Sequence, residues 1–238
     1  MTFSFNPIGI IHSCFKEKFG IPRQCGLIEE AQGQLEILPP YNRPEAFRGL
    51  EDYSHVWISF VFHAARRNDW KPMVRPPRLG GNQRVGVFAS RSPFRPNPIG
   101  LSVLRLLKLE CSDAGVVLHL GGIDLLDGTP VLDIKPYVPY SDSIPEARAG
   151  YAPTPPGSEI SLSYSTEATQ FLNGLTQDHK DHLMRLIHAV LAQDPRPAYL
   201  EEAQRDTFGM RLYDYNIRWS VHEGAFHVEG ISQAAKPE

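Results

Sequence analysis

Over the first 140 or so positions, apolar residues come in short runs, mostly at alternate positions, cut by Gly, Pro and Asp. The runs "FNPIGIIHS", "GQLEILPPY", "NQRVGVFAS", "LSVLRLLKLECS", "GVVLHLGGID" and "PVLDIKPYV" each predict a strand. "SHVWISFVFH" is almost continuously apolar, which predicts a strand buried on both faces. Many short strands separated by turn signals point to a closed or nearly closed barrel.

Between Ser141 and Gly157 proline and glycine recur among polar residues, as in "YAPTPPGS", and predict a linker. The period then changes. "EATQFLNGL" and "QDHKDHLMRLIHAVLAQ" have helical spacing, the second with Leu183, Leu186, Ile187, Val190 and Leu191 on one face. "RLYDYNIRWSV" alternates, with Tyr213, Tyr215, Ile217, Trp219 and Val221 on one side; "HEGA" turns it and "FHVEGI" returns as a hairpin. The expected fold is mainly β with an α+β part. It comprises an N-terminal β-barrel over 1–142, a linker over 143–156 and a small C-terminal α+β domain over 157–238.

Composition adds boundaries. The chain has 238 residues, 42% hydrophobic and 21% charged, ordinary for a globular protein. No run of about 18 apolar residues exists, so no membrane span is expected. The start "MTFSFNPIGIIHS" lacks a basic n-region and a small-residue cleavage site, which predicts a cytoplasmic rather than a secreted protein. Cys14, Cys25 and Cys111 are odd in number and lack CxxC spacing, so neither a disulfide framework nor a zinc site is expected. Net charge is −3, but residues 66–95 hold eight basic residues (Arg66, Arg67, Lys71, Arg75, Arg78, Arg84, Arg91, Arg95) and one acid, Asp69. That window suits either a polyanion or a solvated face balanced by acids elsewhere in the fold.

Common catalytic signatures are absent: no GxGxxG, no GxxxxGK[ST], no HExxH and no GxSxG. His12 and Cys14 adjoin in the chain, where they would have to serve as base and nucleophile of a hydrolase. Five segments carry concentrated polarity: "GIPRQCG", "FVFHAARRNDW", "SRSPFRPNPIG", "GGIDLLDGTPVLDIKP" and "AQDPRPAYL". Arg91 and Arg95 have the fork that grips carboxylate or phosphate. Asp124 and Asp127 suit ribose hydroxyls or an ammonium group. The residue before a proline is pushed from the helical region, so Asp194 and Arg196 are expected to be extended, with Tyr199 on the same stiff loop. Each segment taken singly also suits a structural role: a surface turn, a strand-end histidine, an Arg–acid corner, a helix stop.

Taken together, "PRQCG", "VRPPRLGGNQRVGVFASRSPFRPNPIGLS", "DLLDGTPVLDIKPY" and "AQDPRPAY" closely resemble the TrmO (TsaA- or YaeB-like) family, in order and over nearly the whole chain. The resemblance implies a tRNA methyltransferase that uses S-adenosyl-L-methionine in a non-Rossmann barrel. It implies methylation at N6 of threonylcarbamoyladenosine 37, next to the anticodon, in a homodimer acting on threonine-type tRNA. Carried over by motif, Pro22, Arg23, Gln24, His63, Ala64, Arg91, Leu101, Asp124, Leu125, Leu126 and Asp127 would line the cofactor site. In it Asp124 or Asp127 would take ribose or ammonium, Arg91 or Arg23 the carboxylate, and Leu101 or Leu126 the adenine. Asp194, Arg196 and Tyr199 would face the reacting base: Asp194 would accept the N6 hydrogen, Arg196 would pair with phosphate or threonyl carboxylate, and Tyr199 would stack on or hydrogen-bond the base. No metal is implied. A non-catalytic RNA- or nucleotide-binding module is the alternative of another class.

Overall fold

A computed structural model of the chain describes residues 2–65, 69–80, 82–157, 159–196 and 207–235. Its first part is built from β1 (Gly9–Ser13), β2 (Gln32–Ile37), β3 (His55–Val61), a two-residue pair β4 (Met73–Val74) and β5 (Val85–Gly86), then β6 (Ile99–Ser112), β7 (Gly115–Gly121) and β8 (Pro130–Pro136). Six of these close a barrel in the order β1-β2-β7-β6-β3-β8, antiparallel at every seam. Closure removes the unpaired edges that an open sheet would expose. Alternate residues point inward: Ile11, Leu35, Val56, Ile58, Leu104, Leu118, Leu120 and Val131 are all fully buried.

The second part follows α1 (Pro139–Asp142) and comprises β9 (Leu162–Tyr164), α2 (Thr166–Asn173), α3 (Gln177–Ala192), β10 (Thr207–Leu212), β11 (Tyr215–His222) and β12 (Ala225–Gln233). The strands form one sheet, β10-β11-β12-β9. The apolar stripe of α3 behaves as its spacing predicts: Leu183, Leu186, Ile187, Val190 and Leu191 are all buried. The chain is therefore mainly β, a closed barrel with a small α+β unit. Buried side chains of both parts form one continuous cluster. The seam is the segment after β1, where Phe15 bridges to Leu212, Tyr213 N donates to Cys14 O at 2.7 Å, and Phe19 stacks on Trp219.

Four local expectations fail for identifiable reasons. β3 is not buried on both faces; it alternates buried and half-buried, because one face lines the barrel and no second layer fully covers the other. "NQRVGVFAS" forms only a two-residue strand, then a 3-10 turn over Val87–Ala89 that buries Val87 alone. "RLYDYNIRWSV" is not one strand: it folds back at Tyr213, which adopts φ +51, so Arg211 and Leu212 close β10 and Tyr215 opens β11. Asp194 is not extended. It lies at φ +43, the left-handed position that ends many helices, and Asp tolerates that region better than most residues.

Candidate functional site

The segment leaving β1 climbs over the barrel mouth and forms the loop 20–26. Two contacts pin it. Lys18 Nζ donates to Ala64 O, in the 3-10 turn His63–Ala65 that follows β3. Gly26 N donates to Gly122 O at 2.8 Å. Gly122 adopts φ +69, and a Cβ there would sit 3.0 Å from Gly26 Cα, so only glycine lets the two backbones approach this closely.

That contact sets Gln24 and Cys25 beside Asp124. Asp124 Oδ1 is buried and has no hydrogen-bond partner among the described residues. Burial pushes the carboxyl up to about 6, opposed by hydrogen bonding from the Ser102 hydroxyl and by the charge of Arg91. Burial, reinforced by the Asp124 charge, likewise pushes the Cys25 thiol up. Arg91 is exposed and donates to Gln24 Oε1, clamping the proline-rich loop to the 20–26 loop. A carboxylate with a vacant acceptor, a guanidinium and an amide thus share one corner. Leu101, 56% exposed, precedes Ser102 on β6 and faces the outer side of the strand. Its neighbour Gly100 lies under the Phe60 ring, where a Cβ would come within 2.2 Å of Cζ.

The rest of the "DLLD" run is occupied. Asp127 accepts from Ser13 N at 2.9 Å and pairs with Lys16 at 3.0 Å. Leu125 is buried and its carbonyl accepts from Ser13 Oγ at 2.7 Å; the Leu126 carbonyl accepts from Thr129 Oγ1. Of the two aspartates, Asp127 has both oxygens met by structural partners, while Asp124 Oδ1 has none among the described residues. Arg95 is also structural: Nη1 donates to Ser90 O at 2.8 Å and the guanidinium lies 5.8 Å from the Phe88 ring centre.

A second concavity, about 190 Å³, lies on the other side of the 20–26 loop and brings Pro22 and Arg23 to Asp194. Asp194 takes a bidentate pair from Arg196, Nε to Oδ1 and Nη2 to Oδ2, both at 2.7 Å. Arg196 N adds a weak contact to Oδ1 at 3.3 Å. Oδ1 is therefore filled, while Oδ2 keeps a lone pair. The Arg196 guanidinium lies 6.0 Å from the centre of the Phe226 ring. Tyr199 lies outside the described residues, as do Arg66 and Arg67 of the basic window. Of that window, Lys71, Arg75, Arg84 and Arg91 are exposed, and Arg78 turns inward to donate to Thr154 O.

Two side chains at these sites went unremarked in the sequence: Ser102 and Lys18. Only Ser102 left a signal there, a polar residue at an inward position of an otherwise apolar strand. His12 and Cys14 do not meet as base and nucleophile. His12 is exposed and pairs with Glu36 at 2.9 Å. Cys14 is fully buried, and that burial pushes its thiol up to about 12.

The chain matches two family models, the tRNA-methyltransferase O N-terminal domain over residues 10–143 and the TrmO C-terminal domain over 157–234. It is 50% identical over 228 residues to the Escherichia coli (strain K12) tRNA (adenine(37)-N6)-methyltransferase, covering 95% of this chain and 97% of that protein. A Pseudomonas aeruginosa (strain PAO1) protein named a candidate S-adenosylmethionine-dependent methyltransferase, RcsF, is 51% identical over 219 residues, covering 92% and 93% of the two chains. The crystal structure of TrmO from Pseudomonas aeruginosa superposes with a TM-score of 0.79 at 43% identity, covering 98% of this chain and 99% of that one.

Proposed function

Because this chain belongs to the tRNA-methyltransferase O (TrmO) family, we propose that it methylates N6 of adenosine 37 in tRNA with S-adenosyl-L-methionine as donor, and that this adenosine carries a threonylcarbamoyl group. The observation that carries the reading is the pairing of two sites across one loop: an acid with a vacant oxygen on the barrel side, Asp124, and a positioned acid on the other, Asp194.

The barrel corner suits the donor. A sulfonium bearing an ammonium, a carboxylate and an adenosine calls for an acceptor, a cation and an apolar surface. Asp124 Oδ1 is a buried acceptor without a partner among the described residues, Arg91 is an exposed cation, and Leu101 is exposed apolar surface next to Ser102 on β6. In this reading Asp124 holds the ammonium or a ribose hydroxyl, Arg91 with Gln24 the carboxylate, and Leu101 the adenine, with Pro22, Cys25 and the His63–Ala64 turn shaping the rim. The donor brings a methyl group activated by a positively charged sulfur.

Asp194 then acts on the acceptor. N6 of a carbamoylated adenine is a poor nucleophile, because its lone pair is delocalised into ring and carbonyl. Alignment of nitrogen, methyl and sulfur is the main contribution expected, and is worth several kcal/mol. As the N6–CH₃ bond forms and the S–CH₃ bond breaks, the S–CH₃ electron pair leaves on sulfur and the N6 proton must depart. Asp194 Oδ2, with its remaining lone pair, receives that proton, and Arg196 holds the carboxylate in place. Residues 1–142 supply the donor site and 157–238 the acid, joined through 143–156.

The same reading extends to a cytoplasmic homodimer acting on threonine-type tRNA. Support for the dimer is exposed apolar surface on the outer face of β6, with Ile99 and Leu107 at 43% and 42% exposure, which a second copy would cover. No helix among the described residues is long and apolar enough to cross a membrane. The test is methyl transfer from labelled donor to tRNA with and without the threonylcarbamoyl group, followed by mapping of the label. Label at N6 of position 37 in the carbamoylated RNA alone is the expected result; label elsewhere, or in both RNAs equally, overturns the substrate assignment.

A further inference from the structure

The chain between β3 and β6 presents aromatic surface in the middle of its basic window. Val87 is 1% exposed and anchors the 3-10 turn Val87–Ala89, while the next residue, Phe88, is 74% exposed. The Phe88 ring is held in place. The Arg95 guanidinium lies over it, 5.8 Å from its centre, and Arg95 is fixed in turn by Ser90 O at 2.8 Å. A cation over one face of the ring leaves the other face turned outward. Val87 N donates to Pro72 O at 2.9 Å, so Trp70 and Met73, themselves exposed, run beside the same turn. Lys71, Arg75, Arg84 and Arg91 of this segment are exposed as well. Three residues after Phe88, Arg91 donates to Gln24 Oε1, which ties the loop that carries the ring to the corner at Asp124.

We propose that Phe88 is a stacking platform for an anticodon-loop base next to the reacting adenosine. The proposal rests on the reading of this chain as a tRNA methyltransferase and adds to it a base contact. A base that is to react must leave its stack, and the neighbour it leaves behind loses a stacking face. An aromatic ring held close to the donor corner restores that face. Aromatic rings for the bases and cations for the phosphates are the usual means of gripping single-stranded RNA. The charges argue against a protein partner at this ring. The core of a protein interface is poor in charged residues, whereas Phe88 shares its segment with four exposed cations. The ring and the cations also make separable contributions. Phosphate contacts weaken with added salt, and a stack on Phe88 does not depend on them.

Three tRNAs carrying threonylcarbamoyladenosine 37 test this: one intact, and two that lack the base at position 36 or at position 38. Kd at fixed salt and single-turnover methylation are measured for wild type, Phe88→Trp, Phe88→Leu and Phe88→Ala. Kd for S-adenosylhomocysteine is measured by calorimetry and molar mass by light scattering. On the intact tRNA, Phe88→Leu and Phe88→Ala should each bind about 5- to 150-fold more weakly, the usual worth of one base–aromatic stack, and Phe88→Trp should bind at least as well as wild type. Wild type should bind one of the two abasic tRNAs as weakly as Phe88→Ala binds the intact one, and Phe88→Ala should lose nothing further on it. Wild-type affinity in Phe88→Leu, or an equal loss in Phe88→Ala on all three tRNAs, overturns the stacking assignment while leaving the tRNA reading intact. A changed molar mass in Phe88→Ala overturns it in favour of a contact between copies of this chain, and a tenfold weaker Kd for S-adenosylhomocysteine in favour of the donor site. Wild type that neither binds nor methylates the intact tRNA removes the tRNA reading itself.

Discussion

Arg196 closes a two-pronged salt bridge onto Asp194, two residues before it, with both N–O distances at 2.7 Å. The bridge is possible because Asp194 turns out of α3 with φ +43, which points its carboxylate back over the following residues. The acid at the end of the helix is thereby positioned before any substrate arrives.

Asp194→Asn is the informative substitution at this site. Asparagine tolerates the left-handed backbone, so the change removes the charge with little strain, whereas alanine would add strain as well. The single-turnover rate should fall by about 10²–10⁴-fold, the usual contribution of a positioned acid or base. Affinity for S-adenosylhomocysteine should stay within twofold by calorimetry. A wild-type rate in the Asn variant would remove the proton-accepting role.

Asp124 ties donor binding to pH. Its folded-state pKa is raised from 3.8 to about 6, chiefly by burial, so the folded protein holds this proton to higher pH than the unfolded chain. Stability from this group is present below pH 3.8 and lost as pH rises through about 6. Donor affinity should run the opposite way, falling as pH drops through about 6, because an ammonium or ribose needs the ionised acceptor. Asp124→Asn should stabilise the free protein at pH 7 by on the order of 1–3 kcal/mol, a Tm rise of several degrees, and should weaken S-adenosylhomocysteine binding at least tenfold. Thermal melts and calorimetry between pH 5 and 8 check both signs.

Gly100 is predicted to be intolerant of any side chain. A Cβ would come within 2.2 Å of Phe60 Cζ, and Phe60 is held edge-on to Phe62 at 5.0 Å. Gly100→Ala should cost about 1–3 kcal/mol, the usual penalty of overpacking. Adding Phe60→Leu should restore part of the loss in a denaturant titration.

Salt separates the arginines of the basic window. tRNA affinity should fall steeply with added salt, and removing exposed Arg75 or Arg84 should reduce the log–log slope by about 0.7–0.9 each. Arg95→Ala should behave differently. Its guanidinium donates to Ser90 O within its own loop, so the expected loss is of thermal stability, with the slope unchanged. Equal slope changes for Arg84 and Arg95 variants would contradict this division.

What the sequence determined by itself is what neighbouring residues decide among themselves. Alternation built the barrel strands, a helical stripe placed Leu183 to Leu191 inward, and a run of turn residues separated the two parts, because each depends on contacts a few positions apart. Local pattern misled where tertiary packing intervened, as when the alternating run through Tyr213 folded into a hairpin. The motifs marked segments of concentrated polarity, but not which of two like groups is taken up by a structural partner. Asp124 and Asp127 look equivalent in "DLLD", and Arg91 and Arg95 in "SRSPFRPNP". Only the fold brought Lys16 and Ser13 to Asp127, Gln24 to Arg91 and Asp194 to Arg23. Those partners lie about 70 to 170 positions apart. Pairing at that range is set by strand register and loop closure, and no local pattern in the chain encodes it.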